Sequence, residues 1–130
     1  VAQNSFQVTF DHVALHVSDV DIAADFYHHV LKLTEITNRS KIAGVRWFDL
    51  GEGKELHLLS MLKSEVTLNK AVHFALHIGK FDEFLESIKA LAMSYSDWPG
   101  EDSKITIRPD GIRQIYIQDP DGNWLEVNSI

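Results

Sequence analysis

Four side chains of this sequence stand at matching places of an internal repeat, and together they make a set that can hold a metal ion. The residues His12, Ala14, Leu15 and His16 recur as His73, Ala75, Leu76 and His77, a constant displacement of 61 residues (73 − 12 and 77 − 16). Gly53, Leu56, His57 and Ser60 recur as Gly122, Leu125, Glu126 and Ser129 at a displacement of 69 (122 − 53 and 129 − 60), so a loop of variable length absorbs the difference. The first strand of each half therefore offers His12 or His73, and the last offers His57 or Glu126. Pseudo-symmetry would carry all four toward a common axis, as three imidazoles and one carboxylate. Imidazole-rich sites suit zinc, nickel, cobalt, iron or manganese, whereas calcium and magnesium want mostly oxygen. A divalent transition metal is the expected cofactor, with zinc or nickel first and iron, cobalt or manganese as alternatives.

Other candidate groups carry more ordinary readings beside the functional one. His16 and His77 share the parity of His12 and His73, but lie about 13 Å further along a strand, too far to bind the same ion. They line a pocket or face solvent. His28 and His29 have no second pair at metal spacing, which favours a solvated helix face. Arg113 and Arg46 are candidates for holding an anionic substrate, with surface ion pairing as the alternative. Strand parity puts Gln114 and Tyr116 on one face and Trp47 on the pocket side of its strand. Trp47, Gln114, Tyr116 and Arg113 are thus the candidate substrate-binding residues, against sheet-face packing.

The elements that must position these groups are legible in the apolar periodicity. Residues 10–17 alternate, with Val13, Leu15 and Val17 on one side and His12, Ala14 and His16 on the other, the period of a strand. Ser18-Asp19 supplies an N-cap, and the spacing of Ala23, Phe26, Tyr27, Val30 and Leu31 predicts a helix over 20–33. Strands are expected over 45–50 and 55–60, joined through Gly51 and Gly53. A second alternating strand over 72–78 precedes a helix over 81–91 that aligns Phe81, Phe84, Leu85, Ile88 and Leu91. Two strands, 112–117 and 124–128, flank the turn Asp119-Pro120-Asp121-Gly122. Each half is a strand, a helix and then several strands.

Composition limits what such a chain can do. Its 130 residues with 45% apolar content are enough for one compact domain with one core. With 12 Lys+Arg against 19 Asp+Glu, the net charge of −7 argues against a nucleic-acid partner, whose binding needs basic clusters. No apolar run approaches the ~20 residues that span a bilayer. The absence of cysteine removes disulfides, thiolate metal sites and Cys nucleophiles, so any metal rests on His and carboxylate. The polar opening Val1-Ala2-Gln3-Asn4-Ser5 is compatible with a processed export signal and equally with a cytoplasmic chain.

The stretch FDHVALHVSDVDIAADFYHHVLKL, the strand VHFALHI and the ending YIQDPDGNWLEV resemble the vicinal oxygen chelate superfamily, which includes glyoxalase I, methylmalonyl-CoA epimerase, fosfomycin-resistance transferases, extradiol dioxygenases and bleomycin-resistance proteins. The resemblance covers nearly the whole chain. It implies an α+β fold of two paired βαβββ modules, about 7–64 and 70–130, forming a curved mixed sheet that cups a metal. The family's metal positions fall on His12, His57, His73 and Glu126, the set chosen by the repeat. One departure stands out: glyoxalase I and the epimerases usually carry Glu or Gln where this chain has His57.

By this resemblance, the metal chelates adjacent oxygens of a small substrate and acts as a Lewis acid, while Glu126 serves as both ligand and base. A metal-dependent lyase or isomerase of glyoxalase-like type is the expected function. A metal-free sequestering protein of the bleomycin-resistance kind is one alternative. An extradiol-type dioxygenase is another, matched by His12, His73 and Glu126, although a fourth ligand at His57 would fill a position that dioxygen needs. Similar chains of this size often dimerise and share the site across the interface, so a homodimer is expected.

Overall fold

A computed structural model of the chain describes residues 5–63 and 65–130; the opening residues 1–4 and Ser64, at the expected module boundary, lie outside it. The first module runs β1 (His12–His16), α1 (Val20–His29), β2 (Glu35–Ile36), β3 (Val45–Gly51) and β4 (Lys54–Leu59). The second repeats the order as β5 (His73–His77), α2 (Phe81–Ala90), β6 (Thr106–Ile107), β7 (Arg113–Gln118) and β8 (Trp124–Asn128). Each module folds its strands into a four-stranded mixed sheet, ordered β1-β4-β3-β2 and β5-β8-β7-β6. In both sheets the first strand is parallel to the last, and the other pairs are antiparallel. The α+β fold of paired βαβββ modules is thus present, with two sheets that no backbone ladder joins among the described residues.

The register confirms the equivalence that the repeat implies. Ala14 lies opposite His57 across β1 and β4, and Ala75 lies opposite Glu126 across β5 and β8. Trp47 faces His57 from β3, as Tyr116 faces Glu126 from β7. Because strand side chains alternate, these residues share one face of their sheet with His12 or His73. The opposite face carries Leu56, Leu58, Leu125 and Val127 into the core.

Each helix covers the apolar face of its own module. The Asp19 carboxylate caps α1 by accepting from the backbone N–H groups of Asp21 (2.9 Å) and Ile22 (3.1 Å). Ala23 and Ala24 let the backbone of α1 lie close, and Tyr27 is wholly buried. The helix stops at His29, four residues before the periodicity does, because Lys32 takes a left-handed φ of 58° and Leu33 N–H returns to the Tyr27 carbonyl at 3.2 Å. Leu31 and Leu33 still pack against the core, so the apolar pattern outlasts the helix. Helix α2 lacks a side-chain cap but has Asp82 and Glu83 in its first turn, where the N-terminal dipole favours anions.

The turn from Asp119 to Asn123 fastens the two modules together. Tyr27 O–H donates to Asp119 Oδ2 at 2.8 Å, Ser18 N–H donates to Asp121 Oδ1 at 2.8 Å, and Asn123 Nδ2 donates to the His16 carbonyl at 3.2 Å. Residues of both modules then form one continuous core, from Val17, Tyr27 and Phe48 to Phe81, Ile115 and Leu125. No helix of the described residues is long and apolar enough to cross a membrane.

Candidate functional site

The second module builds a tightly specified pair from His73 and Glu126. His73 Nδ1–H donates to the Lys70 carbonyl at 2.8 Å, which leaves Nε2 as the nitrogen facing Glu126 Oε1 at 3.3 Å. A carbonyl can only accept, so this bond fixes which ring nitrogen points at the carboxylate. Glu126 is held from both sides. Its Oε1 accepts from Tyr116 O–H at 2.9 Å, and its Oε2 accepts from Gln114 Nε2 and Asn128 Nδ2, each at 2.8 Å. Burial alone would raise the Glu126 carboxyl, but the hydrogen bonds from Asn128 and Tyr116 and the neighbouring His73 outweigh it and hold the group below the usual carboxylate range. The Tyr116 hydroxyl is pushed well up by burial and by the bond to Glu126, so it stays a donor.

A clasp of one ammonium and three aromatic rings walls this pair. Lys70 Nζ donates to the carbonyls of Asp97 (2.7 Å) and Trp98 (2.9 Å) and sits 4.8–5.4 Å from the ring centroids of Tyr116, Trp124 and Trp98. Trp98 is thereby held beside Tyr116 and His73, with centroid distances of 5.3 and 6.0 Å. Desolvation lowers the Lys70 pKa, and Asp97 partly offsets it. Lys70 and the stretch 96–98 thus meet next to His73.

The first module arranges its two histidines differently. His57 lies between the rings of His12 (4.1 Å, 21° between planes) and Trp47 (3.8 Å, 7°), because β4 runs between β1 and β3. His57 Nε2 meets Glu55 Oε1 at 3.0 Å, and Arg39 grips the same carboxylate at 3.1 and 2.8 Å. These bonds hold Glu55 below the usual carboxylate range, the one from His57 contributing most. His12 Nδ1–H donates to Asp11 at 2.6 Å and leaves Nε2 for the open face. Among the described residues, no three His or carboxylate side chains of a single chain gather into one metal-binding group.

The other sequence candidates fall on either side of this geometry. Gln114 and Tyr116 touch Glu126, and Trp47 touches His57. Arg113 does not join them: it lies on the opposite face of β7, bound to Asp82 at 2.7 Å over the Phe81 ring. Arg46 is likewise engaged by Glu35 and Asp21. His16 Nε2 is bonded to the Leu62 carbonyl, and His28 and His29 are bonded through Nδ1 to the carbonyls of Leu33 and Asp25. Sequence reasoning missed Glu55 and Asn128, although each stands two residues from a named candidate on the same strand face. It also missed Lys70 as the clasp. A cavity of about 270 Å³ between β1 and the start of β5, lined by Leu15, Leu68, Val72 and Trp124 among others, reaches His73.

A family profile described as the glyoxalase/bleomycin resistance protein/dioxygenase superfamily matches residues 9–127. The chain is 32% identical over 123 residues to the uncharacterized protein YwbC of Bacillus subtilis (strain 168), covering 89% of this chain and 93% of that one. Its fold is similar to that of a protein from Bacillus anthracis assigned to the glyoxalase family, with a TM-score of 0.75, 26% identity and 98% of both chains covered. It is also similar to lactoylglutathione lyase from Agrobacterium tumefaciens, with a TM-score of 0.68, 25% identity and 93% and 92% of the two chains covered. Oxidase ChaP-H2 matches at a TM-score of 0.78 with 22% identity, over 95% and 94%, a likeness of fold.

Proposed function

Because the chain belongs to the glyoxalase/bleomycin resistance protein/dioxygenase superfamily, we propose that it is a metal-dependent enzyme of glyoxalase-like lyase or isomerase type, acting on a small substrate with adjacent oxygens. The observation that carries this reading is the His73–Glu126 pair, with His73 Nδ1 anchored on a carbonyl and Nε2 3.3 Å from a carboxylate oxygen. That is the spacing of neighbouring ligands, and the anchored outer nitrogen is the usual support of a ligating imidazole. His73, Glu126 and His12 would hold a divalent transition metal, zinc or nickel first, with His57 as the fourth candidate. Once bound, the ion supplies Lewis-acid stabilisation of charge developing on the substrate oxygens.

The chain's own residues supply the rest. Gln114 and Asn128 hold Glu126 Oε2, so Oε1, 3.3 Å from His73 Nε2, is the oxygen that would be offered to a bound ion. Glu126 would also be the base, taking a substrate proton on Oε1, with the Tyr116 hydroxyl 2.9 Å away to hydrogen-bond the carboxyl. Trp98, Tyr116 and Trp47 wall the substrate and exclude water.

The complete site requires a second copy of the chain. Strands β1 and β5 are edge strands of their sheets, and the nearby Phe10 and Val72 are 60% and 79% exposed. A homodimer would bring the His12 half of one protomer to the His73–Glu126 half of its partner. Elemental analysis and sedimentation test both statements. About one transition-metal ion per chain in a dimer, lost in His73→Ala and Glu126→Ala, is the expected result. Mixing His12→Ala with Glu126→Ala subunits in equal amounts should restore about a quarter of the metal, since half of the dimers are then mixed and each of those has one intact site. A metal-free wild type would move the reading to a sequestering protein, and a metal-bound monomer would refute the shared site. A second reading, oxidative ring cleavage of a catechol-like substrate, is favoured by one observation: His57 is already committed to Glu55 and Trp47.

A further inference from the structure

We infer that His57 stands outside the ligand set and serves as a stacking spacer that positions His12, leaving His12, His73 and Glu126 as the only protein ligands. This inference rests on the metal-dependent reading of the site. An imidazole binds an ion in the plane of its ring, at about 2.0–2.1 Å from nitrogen. The planes of His12 and His57 are inclined by 21° with centroids 4.1 Å apart, so they meet only on the order of 10 Å away, far beyond that ligand distance. The two rings therefore cannot hold one ion together as they stand.

Of the two, His57 is the one that is not free to turn. Both of its faces are covered, by His12 and Trp47, whereas His12 is 40% exposed at its side chain and His57 12%. Rotating His57 out of the stack would also take a partner from Glu55, whose position Arg39 fixes through two bonds while its guanidinium lies 4.7 Å from the Trp47 ring. His12 instead shows the outer bond of a ligating histidine, Nδ1–H to a carboxylate, with Nε2 directed at the open face. Stacked against the fixed His57 plate, the His12 ring keeps its orientation without being tied to the same ion.

The test is a titration of metal-free protein with cobalt(II), followed by its absorption bands, for wild type, His57→Phe, His12→Ala, His73→Ala and Glu126→Ala. His57→Phe should bind within about threefold of wild type with unchanged bands, since phenylalanine preserves the stack. The other three should weaken binding at least a hundredfold. A comparable hundredfold loss in His57→Phe would overturn the assignment. Nitrogen-15 spectra of zinc-loaded wild type need no variant: ring nitrogens of His12 and His73 should move on loading while both His57 nitrogens stay, and a shifted His57 nitrogen overturns the inference. A wild type that takes up neither metal defeats the metal-dependent reading. In that case the inference falls with that reading, whereas metal uptake with a shifted His57 nitrogen overturns the inference alone.

Discussion

Replacing Tyr27 by phenylalanine removes a single oxygen from the junction of the two modules, and its cost follows from the surroundings of Asp119. Tyr27 is fully buried and Asp119 is 5% exposed. Asp119 Oδ1 accepts from the backbone N–H groups of Asp121 and Asn123, both at 2.9 Å, and Oδ2 accepts from Tyr27 O–H and Asn123 Nδ2. The variant leaves Oδ2 of this buried carboxylate with one protein donor, Asn123 Nδ2. A hydrogen bond to a charged, buried group contributes about 1.5–3 kcal/mol. An unfolding entropy of ~2.1 cal/mol/K per residue gives about 0.27 kcal/mol/K for 130 residues, so the expected drop in Tm is about 6–11 °C. Scanning calorimetry of metal-free protein reads this directly. Amide exchange should show loss of protection at Ser18 and Asn123, the other two contacts of the junction. A drop below about 2 °C would mean that the Asp119 turn, and not the phenol, carries the docking, and would refute the reasoning.

Further expectations concern the loops and the pH response. Gly122 has φ +86°, and a Cβ there would lie 3.0 Å from Leu68 Cδ1, so Gly122→Ala should cost about 1–2 kcal/mol by urea denaturation; an unchanged midpoint would show that Leu68 gives way freely. Lys70→Met removes the donor shared by the Asp97 and Trp98 carbonyls. Acrylamide quenching of tryptophan fluorescence should rise as Trp98 loosens, and Lys70→Arg should restore part of the protection; equal quenching in all three proteins would dissolve the clasp. The carboxyls of Glu35 and Asp82 are held below their ordinary values by hydrogen bonds from Arg46 and Arg113 respectively. A folded pKa below the unfolded one means stability that is present above the unfolded value and lost as pH falls through the folded one. Stability should therefore hold from pH 7 to about 5 and decline below about 4.5, a decline that Arg46→Met flattens; a decline already under way at pH 6 would contradict this assignment.

The repeat was legible because a strand's period of two and a helix's period of 3.6 survive in the apolar residues, and α2 lies 61 residues after α1 just as His73 follows His12. Arg113 illustrates a signal available but not applied. It has opposite parity to Gln114 and Tyr116, which already places it on the helix-covered face. The short strands β2 and β6 have two residues each, too few for alternation to register. The stacking of His57 is a matter of side-chain rotamers and of a bond to Glu55, which periodicity does not encode. The Lys70 clasp joins residues 27 and 28 positions apart across two loops, and no local pattern announces such a contact.

The difference between the two displacements, 69 against 61, amounts to eight additional residues in the second module between its helix and its last strands. They enlarge the stretch that carries Trp98, for which the first module has no counterpart. The side chain of His73 is accordingly 22% exposed and that of His12 40%. The two copies of the repeat therefore differ in the cover over their first histidine: the longer loop of the second module shelters His73, while His12 stays open. Sequence change at Trp98 would therefore alter the cover over His73 without disturbing the strand register that aligns the two halves.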